Sequence, residues 1–175
     1  MNKAVTKTKT PPLKMIDPDA VETGIEAHLA KLGISLPVAA APVAAYVPAV
    51  EAGGLLHVSG QLPFKDGHVM VGRAGADRTT DYAQEAARAC GLMLLAQVKA
   101  TLGSLDRVAR VVKVNVFVNS DPRFTEQPKV ANGASELMVE VFGDAGRHAR
   151  AAVGVAALPL DAVVEADAIF AVKSA

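Results

Sequence analysis

The chain of 175 residues is long enough for one sizeable core and short for two, so it reads as one domain with an N-terminal extension. Lys plus Arg and Asp plus Glu number 18 each, which leaves no net field to gather polyanions or anionic lipid and makes nucleic acid an unfavoured partner. The single cysteine, Cys90, excludes an intrachain disulfide, and no run approaches the roughly 20 apolar residues that cross a bilayer, so a soluble, cytoplasmic protein is expected.

Residues 1–16 are basic and polar, too short to pack, and read as a flexible tail. Asp17 and Pro18 offer an N-cap and a first-turn proline, and Val21, Ile25, Leu29 and Leu32 recur at helical spacing up to Gly33. Residues 17–36 are therefore expected to hold a short helix, followed by the main domain over 37–175. Two β-rich runs, 43–50 and 55–61, flank Glu51-Ala52-Gly53-Gly54, a hairpin turn. A short strand follows the Asp66-Gly67 turn near 68–71. Asp81 with Gln84 suggests a capping box, and the Ala/Leu/Met-rich stretch 83–102 a long helix closed by Gly103. Valine dominates 107–119, as β-branching favours in a strand. Pro128 opens a second helix that Gly143 ends, and 149–155 and 163–172 read as strands joined at Leu158-Pro159.

This order predicts an α+β fold, one mixed sheet with two long helices on one face. Small or apolar residues on both sides of the strands, such as Ala151, Val153 and Val155 against Ala152, Gly154 and Ala156, predict that the second face is covered by association.

Arg150 shares a strand face with Ala152 and Gly154, so its guanidinium lies over a floor with little side-chain volume, the shape of a carboxylate pocket. The alternative is a structural ion pair with Glu165 or Asp167, which share a face of the last strand and could instead orient a water. Tyr46 either presents its hydroxyl to a ligand or buries it against backbone. Asn132-Gly133 inside a helix marks a site or a kink. Gly60, in Ser59-Gly60-Gln61, permits close backbone approach, but no Gly-x-Ser-x-Gly elbow makes Ser59 a nucleophile. His28, His57, His68 and His148 lack metal spacing, Cys90 sits mid-helix with no basic residue directly beside it, and no phosphate loop is present, so no metal or cofactor is expected.

Ala45-Tyr46-Val47-Pro48, the run from Leu55 through Ser59-Gly60-Gln61 to Pro63, Val112 to Val118, and Ala149-Arg150 through Leu158-Pro159 to Glu165-Ala166-Asp167 together resemble the RidA/YjgF family over residues 43–172. Members are labelled imine deaminases or endoribonucleases of the L-PSP type. The resemblance implies a chorismate-mutase-like fold, a homotrimer with clefts between subunits, and a small carboxylate-bearing metabolite as ligand. It implies that Arg150 grips the carboxylate of a 2-imino acid, Glu165 positions the hydrolytic water, and Tyr46, Gly60, Asn132 and the backbone of Ala152 line the pocket, Asn132 only if one residue is inserted before Arg150. The activity implied is deamination of 2-enamine or 2-imine acids to 2-oxo acids and ammonia. Departures point to a divergent branch: Ala152 where the deaminases commonly have cysteine, the long 132–142 stretch, the extra N-terminal helix, and His148, either a ligand contact or a surface residue. These departures keep open a non-catalytic trimer that binds or senses a 2-oxo acid. An endoribonuclease fits neutral charge and few aromatics less well.

Overall fold

The structure is a computed structural model that describes residues 24–41 and 45–174. The expected tail and the Asp17-Pro18 helix start lie outside those residues. The expected helix enters the described region as α1 (Gly24–Lys31), docked by Leu29 and by Glu26, whose carboxylate accepts the Leu105 amide at 3.2 Å.

Strands β1 (Ala49–Ala52) and β2 (Leu55–Gln61) form the expected hairpin across Gly53-Gly54. Among the described residues of that run strand pairing begins at Ala49, because Pro48 has no N–H to give the ladder; its carbonyl instead accepts the Ser59 amide at 2.9 Å. Residues 42–44 lie outside the described set, and Tyr46 sits in a bend before β1. The Asp66-Gly67 turn, with φ of 51° and 79°, joins two-residue strands β3 (Phe64–Lys65) and β4 (His68–Val69) into a small hairpin.

Helix α2 (Thr80–Leu102) starts two residues before the expected capping box: Thr79 is the N-cap and its hydroxyl accepts the Tyr82 amide at 3.2 Å. Asp81 therefore lies in the first turn, where its charge complements the helix dipole instead of capping it. Gly103, at φ 81°, closes the helix by donating its backbone N–H to the Lys99 carbonyl, as expected. Strand β5 (Val108–Asn119), helix α3 (Gln127–Phe142), edge strand β6 (Ala149–Val155) and strand β7 (Val164–Val172) complete the order.

The five-stranded sheet runs β1-β2-β7-β5-β6, parallel only between β5 and β6. Both long helices cover one face and bury Leu56, Val58, Val111, Val114, Val116, Val118, Val164, Ala166, Ala168 and Phe170. Close approach of α2 to α3 explains the Asn132-Gly133 anomaly. A Cβ at Gly133 would overlap the Gln84 carbonyl, while α3 runs through it without a break. The glycine is a helix contact and not a kink.

Among the described residues the other sheet face has no helix over it. It carries the half-buried Phe117, Ile169, Glu165 and Asp167 and the 46 % exposed Val153. That face is less uniformly apolar than the sequence suggested, since Asn115 and Asp167 meet on it through a 2.7 Å hydrogen bond. Among the described residues no helix is long and apolar enough to cross a membrane.

Candidate functional site

Parallel pairing sets Arg150 opposite Val114, Ala152 opposite Val116 and Gly154 opposite Val118, all three partners fully buried on the helix side. Arg150 therefore points to the helix side of an edge strand, over the small floor expected of it. The floor must stay small: a Cβ at Gly154 would lie 2.7 Å from Ser120 Oγ and 3.0 Å from Gln127 Nε2.

Helix α3 holds the guanidinium. Arg150 Nη1 donates to Asn132 Oδ1 at 2.9 Å and to Ser135 Oγ at 3.1 Å, and Nη2 donates to the Pro128 carbonyl at 3.3 Å. A guanidinium has five N–H groups. These bonds occupy both Nη1 hydrogens and one on Nη2; Nε–H and the second Nη2–H have no partner among the described residues. Two donors on one planar fork suit one carboxylate. Neither Glu165 nor Asp167 pairs with Arg150, so the structural ion-pair alternative is set aside.

Sequence reasoning gave Ser135 no role, although Asn132 and Ser135 are three apart on a helix and so share a face, which was the available signal. His148, expected more readily at the surface, is half-buried beside it: its Nδ1 lies 2.7 Å from the Gly146 carbonyl and its Nε2 3.0 Å from Ser135 Oγ. Burial, followed by the charge of Arg150, lowers the imidazole below its ordinary value against the raising effect of the Gly146 carbonyl.

The second group lies elsewhere. Glu165 pairs opposite Phe117, so it points to the uncovered face, three residues along and two strands across from Arg150. Arg150 and Glu165 thus occupy opposite faces of one sheet and do not meet within the chain. Glu165 instead lies against Gly60, at the irregularity in β2 between Val58 and Gln61; a Cβ at position 60 would overlap its carboxylate. Gln61 braces that bulge by donating to the carbonyls of Ser59 and Gly60 at 3.0 and 3.1 Å. Burial, and then the neighbouring Asp167, raises the Glu165 carboxyl above its ordinary value.

Tyr46 and Gly60 line one cavity of about 100 Å³ together with Pro48, Leu62, Phe64 and Leu160. Tyr46 is 45 % exposed, so the buried-hydroxyl alternative is overturned: Pro48 and the bend before β1 leave its ring at the surface. Leu160, 70 % exposed, is held toward this cavity by a left-handed backbone at φ 55°, an uncommon conformation for a branched residue. Ser59 donates its hydroxyl to the Val47 carbonyl at 2.8 Å and so fixes the Tyr46 segment. Cys90 is fully buried, and burial pushes its thiol up, away from nucleophilic thiolate chemistry. Among the described residues no three His, Cys, Asp or Glu side chains converge as metal ligands.

A family described as "YjgF/chorismate mutase-like, putative endoribonuclease" matches residues 26–171. The chain belongs to this RidA/YjgF family. It is 59 % identical over 147 residues to Protein TCP17 of Trypanosoma cruzi, covering 83 % of this chain and 92 % of that one. It is 30 % identical over 141 residues to a 2-iminobutanoate/2-iminopropanoate deaminase of Dermatophagoides farinae, covering 80 % and 95 %. Among solved structures, a protein of unknown function from Agrobacterium tumefaciens superposes with a TM-score of 0.80 at 48 % identity, covering 89 % and 97 %. Escherichia coli TdcF with bound serine superposes at 0.54 and 26 % identity, covering 79 % and 94 %. The RidA/YjgF fold is thus shared with both, and the match begins within α1, earlier than the resemblance in sequence.

Proposed function

We propose that this RidA/YjgF chain binds a small carboxylate metabolite in a cleft between copies of itself, as a homotrimer, and hydrolyses 2-enamine or 2-imine acids to 2-oxo acids and ammonia. The observation that carries the proposal is the division of the site: a carboxylate fork at Arg150 on one face of the sheet and a raised carboxyl at Glu165 on the other. A ligand of a few carbons touches both only if a second copy brings its Glu165 surface to the first copy's Arg150 edge. Two further features support that arrangement. The Tyr46 cavity of about 100 Å³ falls short of the roughly 300 Å³ at which small-molecule pockets begin. The uncovered sheet face also leaves Val153 and Phe117 accessible to a neighbouring subunit.

In this reading Arg150 fixes the carboxylate through Nε–H and Nη2–H, while Asn132, Ser135 and the Pro128 carbonyl hold the guanidinium from behind. Tyr46, Gly60 and the backbone of Ala152 wall the cleft. Glu165 accepts a proton from the water that attacks the imine carbon and passes it to nitrogen, then relays the proton of the new hydroxyl to nitrogen as the C–N bond breaks, so both water hydrogens end on nitrogen and one water and one imine give one 2-oxo acid and one ammonia. A carboxylate raised above its ordinary value is a stronger base toward the attacking water and comes closer to the protonation balance near neutrality that suits a group acting in both directions. The D. farinae relative named as a deaminase and the serine bound to TdcF are consistent with this ligand class.

A second reading, a 2-oxo acid binder or sensor without turnover, is favoured by Ala152, which stands where the deaminases commonly have cysteine. The endoribonuclease of the family description finds little support in a chain of zero net charge with 4 % aromatics. The deciding experiment mixes the purified protein with freshly generated 2-iminopropanoate and follows 2-oxo acid release, with Arg150→Ala and Glu165→Gln beside it. Acceleration lost in both variants supports the enzyme. Pyruvate binding without acceleration supports the sensor. Neither acceleration nor binding refutes both, and sedimentation of a monomer at working concentration refutes the shared cleft.

A further inference from the structure

We propose that Ser135 and His148 form a proton-sensitive brace that positions Arg150, so that anchoring of the ligand carboxylate weakens when His148 takes up a proton. The inference rests on the carboxylate-anchor reading above and adds residues that reading does not use.

Donor and acceptor rules fix the direction of every bond in the chain. A carbonyl only accepts, so His148 Nδ1 carries the hydrogen that meets the Gly146 carbonyl at 2.7 Å. A guanidinium only donates, so Ser135 Oγ accepts from Arg150 Nη1 at 3.1 Å. The serine hydrogen is then available for His148 Nε2, 3.0 Å away, and a neutral Nε2 has the lone pair to receive it. The series runs from Arg150 through Ser135 and His148 to the Gly146 carbonyl. Each link polarises the next, which makes Ser135 a better acceptor for the guanidinium. Asn132 completes the set by taking the other Nη1 hydrogen.

Protonation reverses one link. An imidazolium has hydrogen on Nε2 and would donate to Ser135 Oγ, leaving the serine to accept from two cations while its own hydrogen loses its partner. The charged groups nearest His148 on the surrounding elements are Arg150 two residues on in β6, Glu136 and Glu140 of α3, Arg88 of α2, Asp144 and Arg147 in the preceding turn, and Arg110 and Lys113 of β5. Arg88 is engaged by Glu140 at 2.7 Å, and Asp144 by Arg147 at 3.3 Å. Of these charges it is Arg150, joined to the imidazole through Ser135, that acts on His148. Burial and that charge both lower His148, so the brace is intact at neutral pH and opens below the ordinary imidazole value of 6.5.

The test is calorimetric titration of pyruvate into the full chain from pH 8 to pH 5, with melting temperatures recorded for each variant. Ser135→Ala and His148→Ala should each weaken binding about tenfold at pH 7, and the double variant should be no worse than either alone, because the two act in series. His148→Gln, which offers an acceptor near Nε2 but does not titrate, should recover most of the loss and abolish the fall in affinity on acidification. Arg150→Ala separates the two layers: wild-type binding by that variant would overturn the anchor and this proposal with it. Lost binding in Arg150→Ala beside unchanged binding and an unchanged acid profile in His148→Ala would overturn the brace alone. A second measurement needs no ligand: imidazole nitrogen spectra at pH 7 should show the Nδ1–H tautomer, shifted by Ser135→Ala, and an Nε2–H tautomer would refute the proposal.

Discussion

Gly60→Ala tests the placement of Glu165 without touching Arg150 or the residues that hold it. A Cβ at position 60 would overlap Glu165 Oε1 and stand 3.0 Å from Cδ and 3.3 Å from Cγ, whereas ordinary contact begins near 3.4 Å. The backbone at Gly60 is not in the left-handed region, so alanine strains nothing by its dihedrals. The obstacle is the far end of a flexible side chain on an uncovered face, and it can turn aside. The carboxylate must then withdraw by more than about 1 Å, a displacement that costs on the order of 10²-fold where a reacting group is held in line. The variant should therefore melt within a few degrees of wild type, bind pyruvate at Arg150 with unchanged affinity, and lose about 10²-fold in the rate of 2-oxo acid release from 2-iminopropanoate. Turnover equal to wild type, with Glu165 shown to have moved, would refute the role of that carboxylate. A collapse in stability would refute the view that only a side-chain tip is in the way.

The same small substitution at Gly133 should act oppositely, because there the overlapped atom is the Gln84 carbonyl, with its carbon at 2.9 Å and the Arg88 amide nitrogen at 3.0 Å. Gly133→Ala must push α3 from α2, and chemical denaturation should show a loss of about 1–3 kcal/mol. Arg150→Lys keeps the charge but loses the fork and the paired contacts to Asn132 and Ser135; pyruvate titration should show affinity down by roughly tenfold to a hundredfold. Glu165→Gln should raise stability at neutral pH. The folded-state carboxyl is raised, so the penalty for its ionised form is fully present above the folded value, shrinks as pH falls through it, and vanishes below the ordinary value of 4.5. Urea denaturation at pH 8 and pH 4 checks the sign, and a gain confined to pH 4 would reverse the reasoning.

Which of these residues meet was only partly legible in the sequence, and the physical reason is register. Alternation along 149–155 correctly groups Arg150 with Ala152 and Gly154, because a strand's period of two is independent of its neighbours. The same rule groups Glu165 with Asp167. It cannot say whether the two groups share a side of the sheet, since that depends on parity carried through β5: Arg150 registers with Val114, Glu165 with Phe117, and an odd offset separates the faces. Helices were easier, since apolar spacing and the Gly103 and Gly143 stops are local, yet the start of α2 was misplaced because Thr79 and Asp81 are both competent caps and the helix uses the earlier one. Gly133 and Asn132 looked like a single anomaly but answer to separate demands, one from the neighbouring helix and one from Arg150. His148 illustrates the remaining limit. Two positions before Arg150 it reads as a surface residue, and only the turn at Gly146, which itself admits no Cβ against the Met138 carbonyl, folds its ring back onto Ser135. Its meaning is set by a residue thirteen positions away on another element, and no spacing rule within a strand reaches that far.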